Sequence, residues 1–142
     1  MIDIKVKLDS GAIMPRKAYE SDAGFDLFTP VRIALFPGSA KTIDTGVHML
    51  IPKGYWGNIK TKSGLNVKDG IITEGVVDAD YTGSIRVKLR QIQEPESIIK
   101  VFEPGDKIAQ IVIEKVPEVR LVEVDELPET ARGNNGFGST GR

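Results

Sequence analysis

Apolar and charged side chains alternate with a period of two at several places along this 142-residue chain, and that spacing restricts it to strands with one buried face. Ile4, Val6 and Leu8 alternate with Lys5 and Lys7, and Ile85, Val87 and Leu89 with Arg86, Lys88 and Arg90; Val31, Ile33 and Leu35 repeat the pattern. Valine and isoleucine together number 29 against 16 for leucine and alanine, and branched side chains suit a pleated surface better than a helix. Further strands are expected at 43–51, 55–62, 98–102, 108–113 and 119–124, some apolar enough to be buried on both faces, for about ten in all. Fifteen glycines and eight prolines cut the chain into short pieces, the punctuation of an all-β sandwich or barrel. No capped stripe of period 3.6 interrupts them, and only short helical turns at 12–19 or 64–67 remain open.

Composition narrows the function. Nineteen Lys and Arg against 20 Asp and Glu leave a net charge of −1, which supplies no electrostatic footprint for nucleic acid or an acidic membrane surface. The absence of cysteine excludes disulfides, zinc–thiolate sites and thiol nucleophiles. With no apolar run near the ~20 residues that span a bilayer and no signal-like segment at residues 1–10, a soluble cytoplasmic protein is expected. At this length one domain is the default, taken as residues 1–130, with 131–142 as a glycine-rich arm whose residues 132–142 hold one apolar side chain and cannot form a core.

Five segments combine glycine with polar residues beyond what strand punctuation demands. In Asp22-Ala-Gly-Phe-Asp-Leu27, Asp26 lies between two apolar residues and faces away from both; it reads as an exposed strand residue or as an oxygen ligand for a hard divalent cation. Around Lys60-Thr-Lys-Ser-Gly-Leu65, the stretch Gly57-Asn-Ile-Lys-Thr-Lys-Ser63 is a near miss to a phosphate-binding P-loop that lacks its glycine before the lysine. The segment still offers a cation at Lys62, a hydroxyl at Ser63 and accessible amides at Gly64, unless it is an ordinary polar turn. Gly75-Val-Val-Asp-Ala-Asp-Tyr-Thr-Gly83 places Asp78 and Asp80 in a turn, where they bond to backbone or where one of them acts as a general base beside the flat face of Tyr81. In Gly105-Asp-Lys-Ile-Ala-Gln110, the Gln110 amide sits in an apolar run and must find partners in the fold or in a ligand. In the arm, Phe137 has no local core and either contacts nothing or closes over a base, with Arg132, Ser139 and Thr140 as donors. His48, Tyr55 and Trp56 read as strand and packing residues.

Taken in order, AGFDL, KSGL, GVVDADYTG, GDKIAQ and RGNNGFGSTG resemble the five motifs of the homotrimeric all-β dUTPases, from about residue 22 to residue 141. The resemblance implies a jelly-roll-like β-barrel with a flexible C-terminal arm. It also implies hydrolysis of dUTP to dUMP and pyrophosphate by water attacking the α-phosphorus. In that reading Asp78 activates the water, with Asp80 its neighbouring rival, and Asp26 holds Mg2+ through the ion's water shell. Lys62, Ser63, Gly64, Gln110, Arg132, Ser139 and Thr140 contact phosphates. A hairpin between about 72 and 86, with Gly75, Val76, Val77 and Arg86, reads the uracil edge through its backbone, Tyr81 packs on the deoxyribose and Phe137 stacks on the base. The resemblance further implies a trimer with sites between subunits and the arm reaching in from a third.

Several positions depart from the family's commonest pattern. Lys62 replaces an arginine, exchanging a bidentate fork for a point charge. Ile72 stands near a frequent asparagine, Thr82 and Ser84 replace an arginine and an acidic residue, and Asn135 replaces a glycine. Rival readings are a dCTP deaminase-related enzyme and a dUTP-responsive regulator that binds a partner protein through the same pocket.

Overall fold

In a computed structural model that describes residues 1–92 and 98–136, alternation becomes pleat most plainly in β8 (Ser84–Gln91). Ile85, Val87 and Leu89 are buried and Arg86, Lys88 and Arg90 are exposed. β4 (Ala40–Leu50) pairs antiparallel with β8 on one side and with β1 (Lys5–Leu8) on the other, while β6 (Ile71–Ile72) closes the far edge. The order of this first sheet is therefore β1-β4-β8-β6.

The second sheet runs β2-β10-β5-β7, from β2 (Phe25–Phe28), β10 (Lys107–Lys115), β5 (Tyr55–Lys60) and β7 (Glu74–Val77). A two-stranded piece pairs β3 (Ile33–Leu35) with β9 (Lys100–Phe102). The inward faces of the sheets share one core, with Leu27, Leu35, Ile51, Leu89, Ile108 and Ile111 fully buried. Close packing within the second sheet shows at Gly57, where a Cβ would lie 2.7 Å from Ile111 and 3.1 Å from Val77. The arrangement is all-β and jelly-roll-like, and the ladders of the two large sheets do not close into a barrel.

The single helix among the described residues, α1 (Ser63–Asp69), develops one of the two helical turns left open by the sequence. Its composition favours helix weakly, and it stops at Gly70, whose left-handed backbone (φ 58°) lets the amide cap the carbonyls of Leu65 and Asn66. Two strand expectations fail. Residues 119–124 form no strand, and Leu121 is 95% exposed, because no strand edge among the described residues receives their hydrogen bonds. The expected hairpin over 72–86 is not a ladder: β7 pairs with β5 and β8 with β4, so the intervening turn carries the chain from one sheet to the other.

Candidate active site

Two clusters of the expected site residues form, at separate places. The first gathers on β2, β10 and the end of β5, where the register sets Gln110 opposite both Asp26 and Lys60. Asp26 is not the exposed strand residue its neighbours suggested; it is buried, because both carboxylate oxygens are covered by lysines. Lys62 bonds Oδ1, and Lys107 Nζ lies 2.8 Å from Oδ2. Burial alone would push the Asp26 carboxyl up, but the hydrogen bonds from Lys107 and Lys62 outweigh it and hold the group below its ordinary value.

Gln110 is half-buried, and its amide donates to the Thr61 carbonyl at 3.2 Å. It also lines a 660 Å³ cleft with Thr61, Ser63 and Asn66, so the backbone and the cleft share this side chain. Its Oε1 sits where a Cβ at Gly24 would lie, 2.8 Å away, which explains the glycine of the first segment by packing. At Gly64 the opposite holds: a Cβ would meet nothing within 4 Å, so the fold does not require glycine there. Ser63 and Gly64 are exposed at the start of α1, as a group meant for a ligand must be.

The second cluster surrounds the turn between β7 and β8. Gly75, Val76, Val77, Tyr81, Ser84 and Arg86 line a cleft of 350 Å³. β7 is the outer strand of its sheet, and β8 has β4 on only one side over Ser84–Lys88, so two unpaired backbone edges flank this cleft. Tyr81 donates its hydroxyl to the Ser84 carbonyl at 3.2 Å and packs over Gly83, where a Cβ would displace the ring. Asp44 accepts from the Ser84 hydroxyl and lies 3.4 Å from Arg86 Nε, and the Ser84 hydrogen bond leads the effects that lower its carboxyl pKa. Asp78 is exposed at the mouth of the turn, and its carbonyl accepts from the Tyr81 amide at 3.3 Å. Asp80 takes a left-handed backbone (φ 64°) and donates its amide to Ile51.

The two clusters do not meet within one chain. Gln110 and Asp26 stand level with Glu74 across the sheet, and Asp78 lies four residues further along β7. At about 3.3 Å per residue and 4.8 Å per strand, the Cα atoms of Asp26 and Asp78 are roughly 20 Å apart. In the arm, Arg132 is exposed and its Nε donates to the Asn135 carbonyl at 3.2 Å, a local contact; Phe137, Ser139 and Thr140 lie outside the described residues. The sequence passed over Lys107, although the segment holding it was quoted, and Asp44, whose side-chain partners stand on β8; His48 was read as a strand residue, and its partners Asp9 and Thr82 come from segments distant in sequence.

The sequence and fold of this chain have known counterparts. A family model described as dUTPase matches residues 10–141. A deoxyuridine 5'-triphosphate nucleotidohydrolase from Corynebacterium efficiens is 44% identical over 140 residues, which are 96% of this chain and 76% of the relative. One from Chlamydia muridarum is 44% identical over 141 residues, 95% of each. A mutant dUTPase of Staphylococcus bacteriophage 80alpha with dUpNHpp is similar over the whole of both chains, at a TM-score of 0.89 and 27% identity. The chain belongs to the dUTPase family. The activity is hydrolysis of dUTP to dUMP, with pyrophosphate as the other product.

Proposed function

We propose that this chain hydrolyses dUTP in sites shared between subunits of a homotrimer, each combining the Asp26 cluster of one subunit with the Asp78 turn of another. The separation of roughly 20 Å between the Cα atoms of those residues, more than two aspartate side chains can span, supports the proposal, because the groups acting on one α-phosphate must lie close to it. The extended segment after β10 supports assembly. Val119, Leu121, Val124 and Leu127 are 54–95% exposed, a row of apolar side chains that a neighbouring subunit would cover.

In the assembled site Asp78, exposed and acceptor-only when ionised, takes the proton of the attacking water. Lys62, the Ser63 hydroxyl, the Gly64 amide and Gln110 bind phosphate oxygens, and Arg132, Ser139 and Thr140 of the arm close on the distal ones. The unpaired edges of β7 and β8 hydrogen-bond the uracil as an added strand would, through Gly75, Val76 and Val77, with Arg86 beside them. A base lying that close to backbone leaves no room for the methyl of thymine, and cytosine presents the wrong donors. Tyr81 packs on the deoxyribose where a 2′-hydroxyl would lie, and Phe137 stacks on the base. Residues 131–142 thus form a separate arm on a body of 1–130.

Magnesium fits this site only through the nucleotide. No group of three or more Asp, Glu or His residues among those described could cage an ion, and two lysines already engage the Asp26 oxygens. Mg2+ keeps several waters and takes few carboxylates, so the remaining lone pairs of Asp26 suffice to orient the waters of an ion carried by the triphosphate. When bound, the ion neutralises developing phosphate charge. A mutant dUTPase of phage phi11 of S. aureus, with a TM-score of 0.77 and 26% identity, is described as showing the coordination of a structural Mg(II) ion.

Complementation tests the shared site. Asp26→Asn and Asp78→Asn homotrimers are each expected to be nearly inactive. After dissociation and random reassembly, about one site in four should combine Asp26 of one variant with Asp78 of the other, and activity should return to about that fraction. Verified mixed trimers that stay inactive would show that each subunit must supply both groups.

A further inference from the structure

We propose that His48, oriented by Asp9, is a positioning residue for the nucleoside-binding turn: its ring N–H groups hold the Thr82 carbonyl and thereby fix the turn that carries Asp78 and Tyr81. His48 stands on the outer face of β4, with Nδ1 2.8 Å from the Thr82 carbonyl oxygen and Nε2 3.0 Å from Asp9 Oδ2. Both partners are acceptors, so both contacts are hydrogen bonds at once only when each ring nitrogen carries a hydrogen, in the imidazolium form. A neutral ring can donate to one of the two, and the other contact then sets two acceptors face to face.

The backbone around His48 is built for this clasp. Gly46, at the irregularity in the β4–β8 register, has a left-handed backbone (φ 66°), and its amide donates to Asp44. A Cβ there would lie 2.9 Å from Ala12 and 3.3 Å from the Cβ of Asp9, so the glycine lets the segment after β1 close down and bring Asp9 onto the ring. The Asp9 amide also donates to the Gly46 carbonyl at 2.9 Å.

The charges around the ring favour its protonated form on balance. The hydrogen bond to Asp9 contributes most, followed by that to the Thr82 carbonyl, and together they raise the His48 pKa above its ordinary value. Lys7, opposite His48 on β1 and 3.9 Å from Asp9, works against them. Arg86 on β8 is engaged by Asp44 of β4, and Ser84, opposite His48, also bonds Asp44. Within the turn Asp80 is anchored to Ile51 and Tyr81 to Ser84, so the Thr82 carbonyl between them is the group left for His48.

The inference rests on the proposed assignment of this turn to the nucleoside. If the clasp orders the turn for substrate, nucleotide and proton binding are linked, and each strengthens the other. The chain has one histidine, so its Cε1–H resonance in the intact trimer reports this ring alone. Saturation with dUpNHpp should raise the His48 pKa, and Asp9→Asn should lower it. In kinetics, the ratio of wild-type to His48→Gln KM for dUTP should rise at least about threefold between about pH 6 and pH 9, with kcat changing less. Titration of the substrate phosphates is common to both proteins and cancels in that ratio. A histidine pKa unmoved by dUpNHpp, or a KM ratio that is flat with pH, overturns the proposal. Tyr81→Ala separates the two readings. If it raises KM while the histidine is unmoved, only the clasp fails; if it leaves KM unchanged, the nucleoside turn fails with it.

Discussion

Lys107 Nζ lies 2.8 Å from Asp26 Oδ2 while Lys62 holds the other oxygen of the same buried carboxylate, so one anion organises two cations beside the proposed phosphate site. The Asp26 pKa is lowered in the fold, and a lowered carboxyl stabilises above its unfolded value and loses that contribution as pH falls through the folded value. Thermal stability should therefore decline below about pH 4 partly through this group. Asp26→Asn should flatten that part of the profile and cost about 1–3 kcal/mol at pH 7, less than a fully buried pair because the lysines reach solvent. Melting curves of both proteins across this pH range provide the check, and parallel profiles would count against the pairing.

Asp78 and Asp80 are two residues apart and both exposed, yet their backbones assign them different work. The left-handed backbone of Asp80 and its amide bond to Ile51 shape the turn, which asparagine tolerates as well as aspartate. Asp78→Asn should lower kcat about 10²- to 10⁴-fold with dUpNHpp affinity largely kept, and Asp80→Asn should stay within a few fold of wild type. The reverse ranking would move the base to Asp80.

Much of the body was legible from local pattern. β8 and β4 each bury alternate residues, and the pleat follows directly from that spacing. Residues 119–124 show why pattern is insufficient: they carry the same kind of apolar residues but have no partner edge, and pairing is decided elsewhere in the chain. The 72–86 segment fails likewise, since proximity in sequence suggested a hairpin whereas β5 and β4 each took one strand. The site residues were visible as motifs, but their neighbours were not. Asp26 reads as exposed until Lys62 and Lys107 are placed on it, and His48 reads as filler until Asp9, 39 positions away, meets its ring.

Gly83 is required by space rather than by backbone angle. A Cβ there would sit 2.3 Å from the Tyr81 hydroxyl oxygen and 2.5 Å from Cζ. Tyr81 is about half exposed, so in Gly83→Ala the ring can swing into solvent at little cost to the fold, losing its bond to the Ser84 carbonyl. Melting temperature should change little. The ratio of kcat/KM for dUTP over UTP should fall about tenfold as the barrier to a 2′-hydroxyl moves away. Undiminished discrimination would mean that something other than Tyr81 excludes the ribonucleotide.

The described part of the arm makes its hydrogen bonds within itself and to the adjoining Thr130: the Gly133 amide donates to Thr130, the Asn135 amide to the Arg132 carbonyl, and Arg132 Nε to the Asn135 carbonyl. None of these ties the arm to the sheets, so deleting residues 131–142 should leave the melting temperature and the trimer unchanged. The chemistry should suffer, because a lid that strips water and clamps the distal phosphates acts on the geometry of attack. A fall in kcat/KM of about 100-fold or more is expected, with dUMP binding weakened less, because dUMP loses the Phe137 ring but has no distal phosphates to clamp. If the truncated protein lost trimer and activity together, the arm would be part of the scaffold, and closure over the nucleotide would have to come from another segment.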